Sequence, residues 1–165
     1  FLKDDVHFAF HVVGSGSELE TCIHLAERLG TSNVTFHGRR GIEEMPAYYA
    51  ASDMMAVTFS ADEMLAWTLP RKVQSYMAAG RPIVAAAGGE TERTVLEANC
   101  GLCCAAEDAE GLAGCVRRLA ALEPGQRAAM GARGRAYCEA NFTKKGFIEK
   151  LERELENLKG TKHGM

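Results

Sequence analysis

Three short stretches of this chain carry residue types whose spacing could do chemistry. The first is Gly14-Ser15-Gly16-Ser17, which follows the apolar run 6–13 and precedes Leu19, Cys22, Ile23, Ala26 and Leu29 at helical spacing. Two glycines let backbone amides turn toward a ligand, and the start of a helix adds unpaired N–H groups and a positive dipole end, a seat for phosphate. The third glycine of a G-x-G-x-x-G fingerprint is absent and no G-K-[ST] follows, so neither a standard dinucleotide site nor a P-loop is indicated. A plain strand-to-helix turn stays open beside the phosphate reading.

The second stretch is Thr68-Leu69-Pro70-Arg71-Lys72. Thr68 can cap a helix and Pro70 suits its first turn, but Arg71 and Lys72 set cations against the positive end of the dipole. That placement makes sense where an anion such as pyrophosphate is held by amides and side chains together. The alternative is that both cations point into solvent at modest cost. The third stretch, Cys100-Gly101-Leu102-Cys103-Cys104, contains a C-x-x-C without the second ligand pair that zinc requires, since His163 lies in the tail; it reads as a buried strand of small, soft residues. His7 and His11 share a strand face as metal ligands could, although ordinary strand histidines are the plainer reading.

Alternating strands and helices must position these residues. Strands are expected at 6–13, 33–36, 54–59, 82–87 and 101–105, and helices at 19–29, 42–51, 69–79, 91–99, 109–122, 126–140 and 143–158. Strands separated by helices pair in parallel, because each return to the sheet needs a crossover. The expected fold is therefore α/β, a doubly wound parallel sheet whose loops after strands one, three and four line the carboxyl edge where such sheets bind ligands. One domain over 1–158 with a frayed tail at 159–165 accounts for the 165 residues. The last helix leaves two readings open: a solvated face with i,i+4 ion pairs, or an apolar stripe of Phe147, Ile148, Leu151, Leu155 and Leu158 that lacks its partner.

Nineteen Lys and Arg against twenty-two Asp and Glu give a net charge of −3, without the basic field that nucleic-acid binding needs. The longest stretch free of charged residues, 6–17, is twelve residues and too short to span a bilayer. Six cysteines in a chain able to build its own core suggest reduced thiols and a cytoplasmic setting, and the opening Phe1 suggests a piece of a longer protein.

Several motifs then combine: Val12-Val13-Gly14-Ser15-Gly16, Asn33-Val34-Thr35-Phe36-His37-Gly38, Glu44-Met45-Pro46, Tyr49-Ala50-Ala51-Ser52-Asp53, Leu69-Pro70-x-Lys72, Tyr76-Met77-Ala78-Ala79-Gly80-x-Pro82-Ile83-Val84 and Gly101-Leu102. Together, over about 6–142, they resemble the C-terminal, donor-binding lobe of the group 1 glycosyltransferases of GT-B fold, in the form seen in bacterial enzymes of capsule, O-antigen and exopolysaccharide synthesis. The resemblance implies a Rossmann-like lobe with extra C-terminal helices, an acceptor lobe that this chain lacks, and an active site between the two.

Residue by residue, the resemblance implies that Gly14, Ser15 and Gly16 face the donor's pyrophosphate and that His37, Gly38, Arg39 and Arg40, in the loop 37–41, lie where the base is read. It implies that Leu69, Arg71 and Lys72 meet the phosphates, with Lys72 the foremost side chain. Two positions depart from the pattern: Ser75 stands where most members carry the second glutamate of E-x7-E, which grips the ribose, and Trp67 stands at the first, near the transferred sugar. Glu63 or Asp62 is a substitute for the sugar-facing carboxylate, and Trp67 is open to two readings, a wall of the donor pocket or a core anchor.

The implied reaction moves a hexose-type sugar, with retention, from a nucleoside diphosphate, UDP foremost, to a saccharide or lipid-linked acceptor hydroxyl in surface polysaccharide synthesis. Positive side chains and helix dipoles stabilise the leaving diphosphate, so no divalent metal or other cofactor is expected. Nucleotide-sugar donor and acceptor are the expected partners, nucleic acid is not, and the inner face of the bacterial plasma membrane is a peripheral location for the whole enzyme. The fragment alone is expected to be inactive. The alternative class is a degenerate, non-catalytic lobe that binds a partner protein or nucleotide only, which Trp67 and Ser75 keep open; a response regulator is excluded because Gly14 and Phe59-Ser60 stand where its aspartates would be.

Overall fold

Asp5 stops the first apolar run from becoming a strand along its whole length. Its carboxylate accepts from the backbone N–H of His7 at 3.1 Å and its carbonyl from Phe8 N–H, which fixes a turn. The first strand, β1, is accordingly Phe10–Val13 rather than the whole of 6–13. The computed structural model describes residues 1–3 and 5–160, without the side chains of 159 and 160. Of the expected tail, 161–165 lie outside the described residues, whereas 159 and 160 close the last helix.

The chain divides into two compact units, Phe1–Ala51 and a second beginning at Ser52. In the first unit β1 is followed by α1, Leu19–Leu29, β2, Val34–Gly38, and α2, Met45–Ala51. β1 and β2 pair in parallel, Phe10 opposite Val34, with a register shift between Val12 and Val13. Gly30 closes α1 in the left-handed conformation. Helix α2 begins later than the sequence pattern suggests, because Glu44 turns its carboxylate back to the N–H of Gly41 at 2.9 Å and the intervening residues form turns.

The second unit holds β3, Met55–Thr58, β4, Ile83–Ala86, and β5, Gly101–Cys104, in a parallel sheet of order β3-β4-β5. Two helices lie between β3 and β4 in sequence: α3, Glu63–Ala66, and α4, Arg71–Ala78. Then come α5, Gly89–Glu97, α6, Ala109–Ala120, α7, Pro124–Asn141, and α8, Lys144–Gly160. This is the expected α/β class, parallel sheets with helical crossovers and extra C-terminal helices. Val57, Ile83, Val84, Val95, Met77 and Leu119 are at most 1% exposed and form the core, each buried side chain stabilising by roughly 1.5–3 kcal/mol.

Helix α7 fixes the position of α4. Arg135 donates to the Ala78 carbonyl at 3.0 Å, and the Cys138 thiol points at the Gln74 carbonyl at 3.6 Å. On α8, Lys145 and Glu149 form the i,i+4 pair expected of a solvated face, 3.8 Å apart. Phe147, Ile148, Leu151, Leu155 and Leu158 are exposed as well, so both features expected of this helix are present.

Candidate functional site

In the first unit the glycine turn leaves β1 at Gly14, whose φ of +147° is one that only glycine adopts readily. Its N–H donates to the carbonyl of Gly38 at 2.9 Å, and Gly38, with φ of +66°, carries β2 into the next loop. A Cβ built on Gly14, Gly16 or Gly38 meets nothing within 4 Å, so the space beside these backbones is open. Ser15 is exposed, Gly16 accepts from Leu19 N–H, and Arg39 and Arg40 are exposed just beyond β2. Helix α1 starts after Glu18, which makes no side-chain cap.

His37 is not isolated in its loop. Its Nε2 lies 2.9 Å from Nδ1 of His11, and the Tyr48 ring meets it edge-on with centres 5.2 Å apart. His11 therefore pairs with His37 and not with His7, whose ring is bonded to Asp5 at 3.0 Å and precedes the strand. His7 and His11 therefore do not share a strand, as their spacing alone allowed.

In the second unit a cleft of about 470 Å³ opens at the carboxyl ends of β3, β4 and β5, where parallel sheets bind ligands. Phe59, Ser60, Asp62 and Glu63 line it from the loop after β3, and Gly88 and Glu92 from the start of α5. Its rim is tied across: the carboxylate of Glu107, a residue held at a φ of +63°, accepts from Ala61 N–H at 3.2 Å. Asp62 caps α3 through Met64 N–H at 2.7 Å. Gly89 has a φ of +63°, and a Cβ there would run into the Ala66 carbonyl, so α5 meets the end of α3 at backbone distance.

Lys72 sits in the first turn of α4, where the cap residue Pro70 offers no side-chain acceptor to the leading amides. Thr68 does not cap this helix as its position in the sequence suggests. Its hydroxyl bonds back to the Leu65 carbonyl at 3.1 Å and closes α3. The Lys72 ammonium lies 4.9 Å from the centre of the Phe59 ring, which itself lines the cleft. The residue as a whole is exposed, yet partial burial of its ammonium lowers its pKa from the ordinary value, a bias that a bound anion would reverse. Leu69 packs against the core, Arg71 is exposed, and Ser75 is half-buried on the same helix.

Trp67 is 86% exposed at the end of α3, which overturns the core-anchor reading. Leu69 packs against the core instead, and Leu65 is half-buried on the wall of the cleft. Cys100 is buried on entry to β5, and burial pushes its thiol up to about 11 and that of Cys103 up to about 12, as a strand of soft residues requires. Among the described residues no three His, Cys, Asp or Glu side chains gather into a metal-binding group.

The predicted site residues thus fall into two sets. Gly14, Ser15, Gly16, His37, Gly38, Arg39 and Arg40 belong to the first unit, where β1 and β2 bring Gly14, His37 and Gly38 together. Glu63, Leu69, Arg71, Lys72 and Ser75 belong to the second, where Glu63 lines the cleft and Lys72 adjoins it through Phe59. Sequence reasoning missed Phe59, Glu92, Glu107 and the partnership of His11. The first two were signalled by their place after β3 and at the start of α5, on the ligand-binding edge.

No curated protein matches the chain. Among solved structures it is similar to sucrose-phosphate synthase from Thermosynechococcus elongatus, at 23% identity and a TM-score of 0.74 over 92% of this chain and 38% of that one. It is also similar to Anabaena HepE in its complex with UDP-glucose, at 22% identity and 0.75 over 90% and 41%. A third similar structure is WaaG, a glycosyltransferase of lipopolysaccharide biosynthesis, at 24% identity and 0.64 over 81% and 34%. The chain spans about two-fifths or less of the length of these structures, and at such identities the likeness shows the fold, that of a GT-B lobe. The family profile "Glycosyl transferases group 1" matches residues 2–121, and on that match the chain belongs to the group 1 glycosyltransferases.

Proposed function

We propose that this chain is the donor-binding lobe of a retaining glycosyltransferase that moves a hexose-type sugar from UDP to a saccharide or lipid-linked acceptor hydroxyl in bacterial surface polysaccharide synthesis. The observation that carries the proposal is Lys72. A cation stands in the first turn of α4, against the helix dipole, partly desolvated on Phe59 beside a cleft at the carboxyl edge. Such a placement is unfavourable alone and becomes favourable when an anion arrives. HepE was solved with UDP-glucose, which supports UDP as the carrier.

In this reading Lys72 and the α4 amides offset charge on the departing diphosphate, electrostatic stabilisation without a divalent metal. Arg71 adds charge at the same helix end, Ser75 hydrogen-bonds a ribose hydroxyl in place of glutamate, and Glu63 faces the transferred sugar. Gly14, Ser15 and Gly16 hold pyrophosphate, and the loop from His37 reads the base. The acceptor belongs to a lobe outside this chain, and catalysis needs both, in the cytoplasm or peripherally at the inner face of the plasma membrane.

Titration of the chain with UDP, GDP and ADP, followed by NMR with and without EDTA, tests the proposal. The expected result is millimolar binding, strongest for UDP, with shifts at 14–17 and 69–72 that survive the chelator. Silence at those residues would remove the site, and loss of binding with EDTA would remove the metal-free claim. If the chain binds no nucleotide while the whole protein still captures a protein partner, the degenerate-lobe reading, motivated by Trp67 and Ser75 at the glutamate positions, takes its place.

A further inference from the structure

The rings of His11 and His37 approach with Nδ1 and Nε2 2.9 Å apart, planes 22° from parallel and centres 5.1 Å apart. Stacked rings would bring faces together. A centre separation so much larger than the N···N distance, with planes so nearly aligned, instead describes two imidazoles joined edge to edge through one hydrogen bond. A nitrogen on each side of that bond cannot carry a proton at the same time: one donates and the other accepts. The pair can therefore take one extra proton, as an imidazolium donating to a neutral imidazole, with the contact kept and strengthened by charge. A second extra proton would set two N–H groups head to head and open it.

From α2 the pair meets Tyr48, a neutral ring. The segments flanking the strands carry Lys3, Asp4, Asp5, Glu18, Arg39, Arg40, Glu43 and Glu44. Asp5 is engaged by His7 at 3.0 Å and Glu44 by Gly41 N–H at 2.9 Å, and on α1 Glu27 is engaged by His24 at 3.4 Å. One residue beyond His37, the Gly38 carbonyl receives the Gly14 N–H, so the pair adjoins the open glycine turn.

We infer that His11 is a positioning residue for His37, holding its ring plane and tautomer through one shared proton, and that the pair takes up a proton from solvent when a nucleoside diphosphate occupies the adjoining glycine turn. The first part stands on the contact alone; the second rests on the proposed donor site. An anion beside the pair favours its cationic form, and by reciprocity the protonated pair favours the anion. Imidazole is the side chain that makes this exchange in the neutral range.

Two measurements on the same chain separate the parts. Long-range ¹H–¹⁵N NMR of the free protein across pH 5 to 9 should show one facing nitrogen protonated and the other bare, with the two rings titrating as one coupled unit. His11→Ala should scramble the His37 tautomer and His11→Asn, whose side-chain amide can donate or accept from about the position of Nδ1, should restore a single tautomer. Independent titration of the two rings, or a His37 tautomer unmoved by His11→Ala, overturns the positioning role. Calorimetry of UDP binding at pH 7.5, where the terminal phosphate is already ionised, in buffers of differing ionisation enthalpy should then show net proton uptake that is lost in His37→Gln. Affinity should be higher at pH 6 than at pH 8, by less than about tenfold if binding raises the pair's affinity for its proton tenfold. UDP binding without proton uptake overturns the linkage. If UDP does not bind at all, the donor-site reading falls, while the spectrum of the free protein still decides the role of His11.

Discussion

The two units differ in what they bury. In the second, Val57, Met77, Ile83, Val95 and Leu119 are fully buried; among the described residues of the first, none is buried to that degree, and Val12 and Leu25 are 42% and 41% exposed. Yet the first unit has the unsupported glycines at Gly14 and Gly38 and the His11–His37 contact, and the second has the cleft and Lys72. Candidate binding residues are thus mounted on one scaffold rich in buried apolar contacts and on another that is poor in them. The difference teaches that a ligand would do different work in the two places, meeting side chains set beside a packed core in one and backbone with open space beside it in the other.

The largest expected effect tests that contrast in stability. Leu119→Ala should destabilise by roughly 2–5 kcal/mol, because a fully buried side chain leaves a cavity, whereas Leu25→Ala should cost under about 1 kcal/mol. Urea midpoints followed by circular dichroism would check both, and equal losses would erase the distinction. Next, Lys72→Ala should weaken UDP binding by roughly 1.5–3 kcal/mol by calorimetry, and Arg81→Ala, beyond the end of α4, by much less. Equal losses would mean diffuse attraction.

The lowered pKa of Lys72 gives a smaller effect with a definite sign. A folded-state pKa below the unfolded one penalises the charged form, so the penalty is full below the folded pKa, falls as pH rises through it and is gone above the unfolded pKa. Lys72→Met should therefore add at most roughly a few tenths of a kcal/mol at neutral pH, screened by solvent at an exposed residue, and that gain should fade in alkali. Melting curves at pH 7 and above 10 would reveal it. Trp67→Ala should change stability by less than about 0.5 kcal/mol, since the indole is 86% exposed. A large fall in melting temperature would return Trp67 to the core. The finest effect is chemical: iodoacetamide at pH 8 should label exposed Cys22 well before Cys100 or Cys103, whose thiols burial holds near 11 and 12, as peptide mass mapping would show.

Legibility in the sequence followed the length and regularity of each signal. β3, β4 and β5 stood out because runs such as Pro82-Ile83-Val84-Ala85-Ala86 are continuously apolar and end at turn residues, and they lie within a residue of their expected bounds. β1 was overextended because the apolar run hides a turn made by the Asp5 side chain. Helix α3 was missed since four residues show no period, though Asp62 before Glu63 is a capping signal. The start of α5 was set late because Gly88-Gly89 looks like a breaker, and Gly88 is in fact the N-cap. Of the candidate site, Lys72 was readable from its conflict with the helix dipole. The His11–His37 bond was not, because its partners are 26 residues apart and only parallel pairing of β1 with β2 brings them together.

The backbone contact between α5 and α3 has a consequence for how the chain tolerates change. Gly88 has an ordinary φ of −111° and open space where a Cβ would stand, while its neighbour Gly89 has a positive φ and faces the Ala66 carbonyl. A saturation library should find these adjacent glycines at opposite ends of the permissiveness scale. Position 88 should accept alanine and serine, and position 89 nothing but glycine. A variant that escapes the block at 89 should do so through second changes on α3, so the genetic interactions of one codon would trace the lip of the cleft.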